Sequence, residues 1–476
     1  MLQLNWSSLF VQADRGFQVL ADGLYDLLFI RIFGCPLIVV WLLVGGIILS
    51  LRLKFINFRG FSHAIAIARG KYDDPSDRGE VTSLQALATA LSATVGVGNI
   101  AGVAIAIGLG GLGSIFWMVV IGLLATNVKF LECTLAQKYR ILGADGHFSG
   151  GPTCYLSQGL AKQGRKRLGQ FCAILFALCC IFASWGSSGI FQVNQSYSAF
   201  SRVFSFIPPW SYGLFLVVCV GTVILGGIER IGKVAELLVP LMSGIYLLGT
   251  ISILVIKWHF LPEAIVEILA SALTLKAGLG GLIGGILQGI QRGTFANEMG
   301  VGSSAIAHAA SKQHVPLREG FLASLEPLVI ALISLMTGLA IAVTGVYRSS
   351  DLVSTQGGRL AAMAFESALP WFPYILAASM FLFAFSTAIS WGYYGESCWA
   401  YLFGSRTTIM YKIIQLIFLF LGPIVNSESV VKFGDITLLV MTLPNILGLY
   451  FLCGEVRQEA DEYMNRLETE PEVMIN

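Results

Sequence analysis

Charge is what this chain has least of. Only 12% of its 476 residues are Asp, Glu, Lys or Arg, against roughly a quarter in a soluble domain. With 55% hydrophobic residues and a mean hydropathy of +0.75, a large water-soluble domain is excluded and a polytopic membrane protein is indicated. No basic cluster with interleaved aromatics accompanies the net charge of +2, so no nucleic-acid partner is expected. The nine cysteines are scattered. Cys172, Cys179, Cys180 and Cys219 lie in apolar runs and read as small buried hydrophobes rather than disulfides or metal ligands. The five histidines show no metal-ligand spacing, there is no HExxH, and no nucleophile set is recognisable, so the chain does not read as an enzyme. The stretch MLQLNWSSLFVQADRG has no basic region followed by an apolar run, and no cleavable signal peptide is expected there.

What the chain does have is long apolar runs. At roughly 20 residues per spanning helix, spans are expected at 29–51, 81–107, 114–139, 169–204, 209–227, 233–256, 276–310, 318–347, 370–403, 408–425 and 435–454. Arg52, Lys54, Arg59, Arg69, Lys71 and Arg78 follow the first of these, which places that loop in the cytoplasm and the segment 1–28 outside. An acidic cytoplasmic tail is expected at 455–476. The fold class is therefore all-α with about eleven transmembrane helices. One extra N-terminal helix (29–51) precedes two five-helix repeats, 81–256 and 276–454. Five is odd, so the halves enter the membrane from opposite sides, the topology of an inverted repeat.

Each half opens with a broken helix. Residues 291–304, QRGTFANEMGVGSS, interrupt one apolar run, and residues 93–99, ATVGVGN, interrupt the other. Irregular backbone at membrane depth is tolerated only where protein or a water-filled cavity covers it. A matched pair of such breaks points to the binding site of a secondary transporter. The alternative is two ordinary helices with packing glycines, but Asn297 and Glu298 need partners that packing does not supply. At a break, half-helix N-termini favour a carboxylate and unwound carbonyls favour a small cation, so the site suits a zwitterion with a metal ion. Gly96 and Gly98 allow close backbone approach, and Thr94 and Asn99 add side-chain oxygens.

Other polar residues leave choices open. Gln192 and Asn194 serve either as interhelical glue or as cavity lining. Ser386 and Thr387 either bond back to their own helix or complete a sodium site of oxygen ligands. Lys129 and Glu132 are spaced to pair at i, i+3, Glu396 reads as structural, and His308 and His314 are expected in solvated or capping roles. GLGGLG at 108–113 follows no strand, and GIERIGK at 227–233 is followed by Val234 where a phosphate loop needs Ser or Thr, so neither marks a nucleotide site. An ion channel would need a continuous polar pore or a repeated carbonyl filter, which two isolated breaks do not provide.

The stretches TALSATVGVGNIAGVAIAI (89–107), KFLECTLAQKYR (129–140), GGPTCYL (150–156), QGIQRGTFANEMGVGSSAIAHAA (288–310) and FAFSTAISWGYYGE (383–396) resemble the alanine or glycine:cation (sodium) symporter family, which has a leucine-transporter-type fold. The resemblance implies sodium-driven symport of a small neutral amino acid such as alanine or glycine across a prokaryotic plasma membrane. No obligatory protein partner beyond membrane lipid is expected. It assigns Thr94, Gly96, Gly98, Asn99, Gln192, Phe295, Asn297 and Trp391 to the substrate site. It assigns the carbonyls around Ala93 and Gly96, with Ser386 and Thr387, to sodium. Ala93 and Val97 stand where that family commonly has hydroxyl residues, which leaves a proton as the alternative coupling ion. Ala388, Ile389, Ser390 and Gly392 vary the helix around Trp391, which leaves glutamine as an alternative cargo.

Overall fold

A chain this apolar can satisfy its own backbone in lipid by forming helices, and the computed structural model is helical through most of its length. It describes residues 22–469 apart from 24, 27, 33–34, 73, 75, 144–145, 147, 274–277 and 349–356. Most of the expected segment 1–28 lies outside the described residues.

The principal helices are α1 (Leu37–Arg52), α2 (Ser83–Thr94), α3 (Ala101–Gly110), α4 (Gly113–Lys138), α5 (Lys166–Trp185), α6 (Phe191–Val203), α7 (Pro209–Ile224), α8 (Gly227–Ile256), α9 (Leu261–Leu273), α10 (Gly278–Asn297), α11 (Ser304–Ala309), α12 (Pro316–Ala323), α13 (Glu326–Thr344), α14 (Gly357–Ala368), α15 (Phe372–Phe403), α16 (Thr408–Leu421), α17 (Ser427–Leu439) and α18 (Thr442–Thr469). Every expected apolar segment contains a helix. Among the described residues, six runs are long and apolar enough to cross a membrane: Gly113–Lys138, Lys166–Val203, Gly227–Ile256, Pro316–Thr344, Phe372–Phe403 and Ser427–Thr469. The bent pair Ser83–Thr94 and Val97–Gly110, meeting at 59°, makes a seventh. Leu37–Arg52 and Pro209–Ile224 are apolar but shorter.

Several boundaries differ from expectation. The helix of the first expected span begins at Leu37 rather than 29, because Arg31–Ile32 and Cys35–Pro36 pair as a two-residue antiparallel ladder. At the other end α18 runs unbroken through the expected tail to Thr469. Ion pairs hold that extension against the rest of the molecule: Asp461 meets Lys54 and Arg59, and Lys138 meets Glu455 and Glu459. The amphipathic helices α9 and α14 fall in stretches read as connections. α14 packs on α3, α6 and α13, and α9 packs on α4, α10 and α13.

Local chemistry sets the ends that matter. Thr82 and Gln85 form a reciprocal capping box that starts α2. Pro209 opens α7 at a position where no N–H is needed. α4 is the central post, with α10, α12 and α13 packed along it. Outward-facing Phe215, Leu237, Leu248, Val255 and Ile413 are exposed, as a lipid-facing surface requires.

Candidate functional site

The first break begins where α2 stops at Thr94. Gly96 is extended (φ −123°, ψ −169°), a tight turn covers Val97–Asn99, and α3 resumes at Ala101. The loosened backbone finds side-chain partners. Asn99 Nδ2 donates to the Thr94 carbonyl at 2.7 Å, Ser334 Oγ donates to Asn99 Oδ1 at 3.1 Å, and the Val97 N–H donates to Gln192 Oε1 at 2.9 Å. A Cβ on Gly96 would lie 2.7 Å from Thr387 Oγ1 and 3.1 Å from Gln192 Oε1, so close approach to these two side chains is what requires glycine there.

The second break follows Asn297. Glu298 sits in the left-handed region at φ 51°, and Gly300 and Gly302 follow at 73° and 80° before α11 begins. A left-handed non-glycine costs energy and persists only where its surroundings hold it. Trp391 Nε1 donates to Glu298 Oε1 at 3.1 Å, and Ser303 Oγ donates to Oε2.

Between the breaks lies a slot lined by Ala93, Thr94, Gly98, Ser187, Ser188, Gln192, Phe295, Ala296, Glu298 and Leu438. It leaves only about 10 Å³ for the centre of a water-sized sphere, the space of about one water. The helices around it must move apart to admit an organic molecule. On the flank beside Phe295, Arg292 packs over that ring at 5.7 Å and makes a two-pronged ion pair to Asp435 on α17.

Of the residues expected to hold substrate, Thr94, Gly98, Gln192 and Phe295 line the slot, and Gly96 abuts it through Gln192. Asn99, Asn297 and Trp391 do not line it. Asn99 stitches the first break, Asn297 Nδ2 bonds back to the Gly293 carbonyl at 2.9 Å, and Trp391 is fully buried behind Glu298. Of the expected sodium ligands, Ser386 and Thr387 face the last turn of α2. Their hydroxyls reach the Ser92 carbonyl at 3.4 and 3.1 Å, one residue before Ala93, which itself lines the slot. Ser386 also bonds back to Phe383 within its own helix.

Two expectations need correction. Lys129 does not pair with Glu132. Its ammonium lies 2.5 Å from Ser304 Oγ and 3.3 Å from Glu326 Oε1, while Glu132 accepts from Asn445 at 2.7 Å. Long-range packing of α4 against α11 and α13 supplies better partners than the next helical turn. His308 is fully buried, with Nδ1 2.6 Å from Glu319, because α11 packs against α4 and α2 and α12 brings Glu319 to it. Asn194 is interhelical glue, donating to the Gly422 and Val425 carbonyls, and Glu396 pairs with Lys412.

Some site features carried no decisive signal in the sequence. Ser187 and Ser188 line the slot because Gly186–Ile190 forms a π-helical turn between α5 and α6, a device frequent at functional sites. The mid-span GSSG was the available clue. Glu326 is the hub of a buried bridge between the breaks: its Oε1 lies 3.0 Å from Thr94 Oγ1 and 2.9 Å from Ser304 Oγ.

Two broken helices face each other across a buried slot, with a hydroxyl pair from α15 at the first break. This is the arrangement of a secondary transporter of the leucine-transporter fold. The fold is shared with MhsT, solved in complex with L-phenylalanine, at a TM-score of 0.56 and 13% identity over 81% of this chain and 99% of that one. The chain belongs to the sodium:alanine symporter family, whose model matches residues 26–475. It is 36% identical over 433 residues to the sodium/alanine symporter AgcS of Methanococcus maripaludis, covering 90% of this chain and 94% of that one. It is also 31% identical to the probable sodium/glutamine symporter GlnT of Bacillus subtilis, over 90% of this chain and 87% of that one. The protein is thus a multi-pass sodium-coupled amino-acid symporter and not an enzyme.

Proposed function

We propose that this protein couples sodium entry to uptake of alanine, glycine or a similar small neutral amino acid by alternating access. The observation that carries this reading is the meeting of the Ser386 and Thr387 hydroxyls with the Ser92 carbonyl at the first break. A hard monovalent cation wants a cage of neutral oxygens, and here hydroxyls on α15 face freed carbonyls at the end of α2. With the carbonyls of Ala93 and Gly96 they form the proposed sodium site. Thr94, Gly96, Gly98, Asn99, Gln192, Phe295, Asn297 and Trp391 form the proposed substrate region, with Asn99, Asn297 and Trp391 acting from behind the slot or at its edge. The one-plus-five-plus-five inverted repeat, the outside N-terminus and the cytoplasmic C-terminus belong to the same proposal.

The energetics suffice. A potential of about 100 mV contributes roughly 2.3 kcal/mol per charge, and a tenfold sodium gradient adds about 1.4 kcal/mol. One ion per cycle then supports accumulation on the order of several hundredfold. A second reading, glutamine as cargo, is favoured by the likeness to GlnT. The test is uptake of labelled alanine, glycine and glutamine into proteoliposomes under an imposed sodium gradient or an imposed proton gradient. Sodium-driven alanine accumulation, weakened by Ser386→Ala or Thr387→Ala, is expected. Accumulation driven by protons alone, or of glutamine in preference to alanine, would replace the reading.

A further inference from the structure

Glu298 is the one charged side chain among the described residues that line the slot. We propose that its carboxylate receives the α-ammonium group of the transported amino acid, an inference that rests on the amino-acid symport reading above. The backbone supplies the first argument. Glu298 holds the left-handed conformation at φ 51°, which takes its side chain off the line of α10 and lets it contribute to the slot wall.

The second argument is charge. Lys129, the nearby buried cation, is engaged by Ser304 and Glu326, and Arg292 is engaged by Asp435. No ion pair to Glu298 exists among the described residues. A buried carboxylate with no cation in direct contact is costly, and the cationic end of a zwitterion offsets that cost when it binds.

The third argument is hydrogen bonding. An ionised carboxylate accepts about four hydrogen bonds. Trp391 takes one position on Oε1 and Ser303 one on Oε2, so the group is held in place with acceptor positions to spare. These two donors orient Glu298, and Trp391 acts on substrate through it. The arrangement selects for an amine: a molecule of the same size without one would leave the carboxylate buried and unpaired.

The test uses the full-length protein in proteoliposomes. In the wild type, unlabelled alanine should compete with labelled alanine, whereas lactate and propionate, which lack the amine, should not. Glu298→Gln, which preserves size and removes the charge, should raise the KM for alanine roughly tenfold to a hundredfold, the range for losing a hydrogen bond to a charged group. Half-saturation by sodium should stay within about twofold. An unchanged KM, a shift confined to sodium, or competition by lactate equal to that by alanine would overturn the proposal. If the variant fails to fold, the wild-type competition decides. Sodium-driven uptake by the wild type, measured alongside, separates failure of this inference from failure of the transport reading, and where another amino acid is taken up instead, its own 2-hydroxy analogue serves as the competitor.

Discussion

Gly96→Ala tests the geometry of the first break most directly. Gly96 is extended, a conformation open to any residue, so the backbone does not object and the whole effect is steric. The added methyl would lie 2.7 Å from Thr387 Oγ1 and 3.1 Å from Gln192 Oε1. Neither neighbour yields freely. Thr387 Oγ1 is bonded to the Ser92 carbonyl at 3.1 Å, and Gln192 Oε1 holds the Val97 N–H at 2.9 Å. Overpacking by one such group costs about 1–3 kcal/mol, and relief by giving up one hydrogen bond costs about 0.5–1.5 kcal/mol. A loss near 2 kcal/mol corresponds to roughly thirtyfold in affinity. The sodium concentration for half-maximal uptake should therefore rise on the order of tenfold to a hundredfold. Gly102→Ala is the matched control: a Cβ there meets nothing within 4 Å, and alanine favours the helix. The sodium dependence of uptake in proteoliposomes, measured for both variants, is the assay. A Gly96→Ala curve that overlays the wild type, or an equal shift in Gly102→Ala, would refute the assignment of Thr387 to the cation site.

Lys129→Met should destabilise the protein by about 3–5 kcal/mol, because it leaves Glu326 buried without its cation. Lys129→Met with Glu326→Leu should recover much of the thermal stability but not transport, since the carboxylate that bridges Thr94 and Ser304 between the breaks is then gone; a double variant no more stable than the single one would refute the pairing. His63, on the helix Phe61–Ala68 outside the spans, is pushed down to about 4 by burial, with the charges of Arg318 and Lys71 adding to it. The folded state then resists taking up this proton, so its contribution is fully present above the ordinary value of 6.5 and is lost as pH falls from there toward about 4. His63→Gln should flatten that part of the acid dependence in thermal melts of the solubilised protein, and a difference from wild type that stays constant with pH would count against it.

The class of this protein was legible from one-dimensional features. Scarce charge and long apolar runs follow from the demands of lipid on every residue, and a break in a helix is written locally as glycines and polar residues at 93–99 and 291–304. Thr94 and Gly98 could be named for the same reason, being in a break, whereas Gln192 and Phe295 were assigned to the site through the family resemblance. The partners of Lys129 and His308 could not be named. Sequence spacing offers only neighbours on the same helix, whereas burial makes a polar or charged group take the best partner that packing brings near, here Glu326 and Glu319. The continuation of α18 to Thr469 was likewise decided by ion pairs to Lys54, Arg59 and Lys138, hundreds of residues away in the chain. Only the tertiary structure brought Ser187, Ser188 and Glu298 to one slot, because how the Gly186–Ile190 turn packs against α16 and α17 is settled by side-chain shape across the whole bundle and not by local sequence.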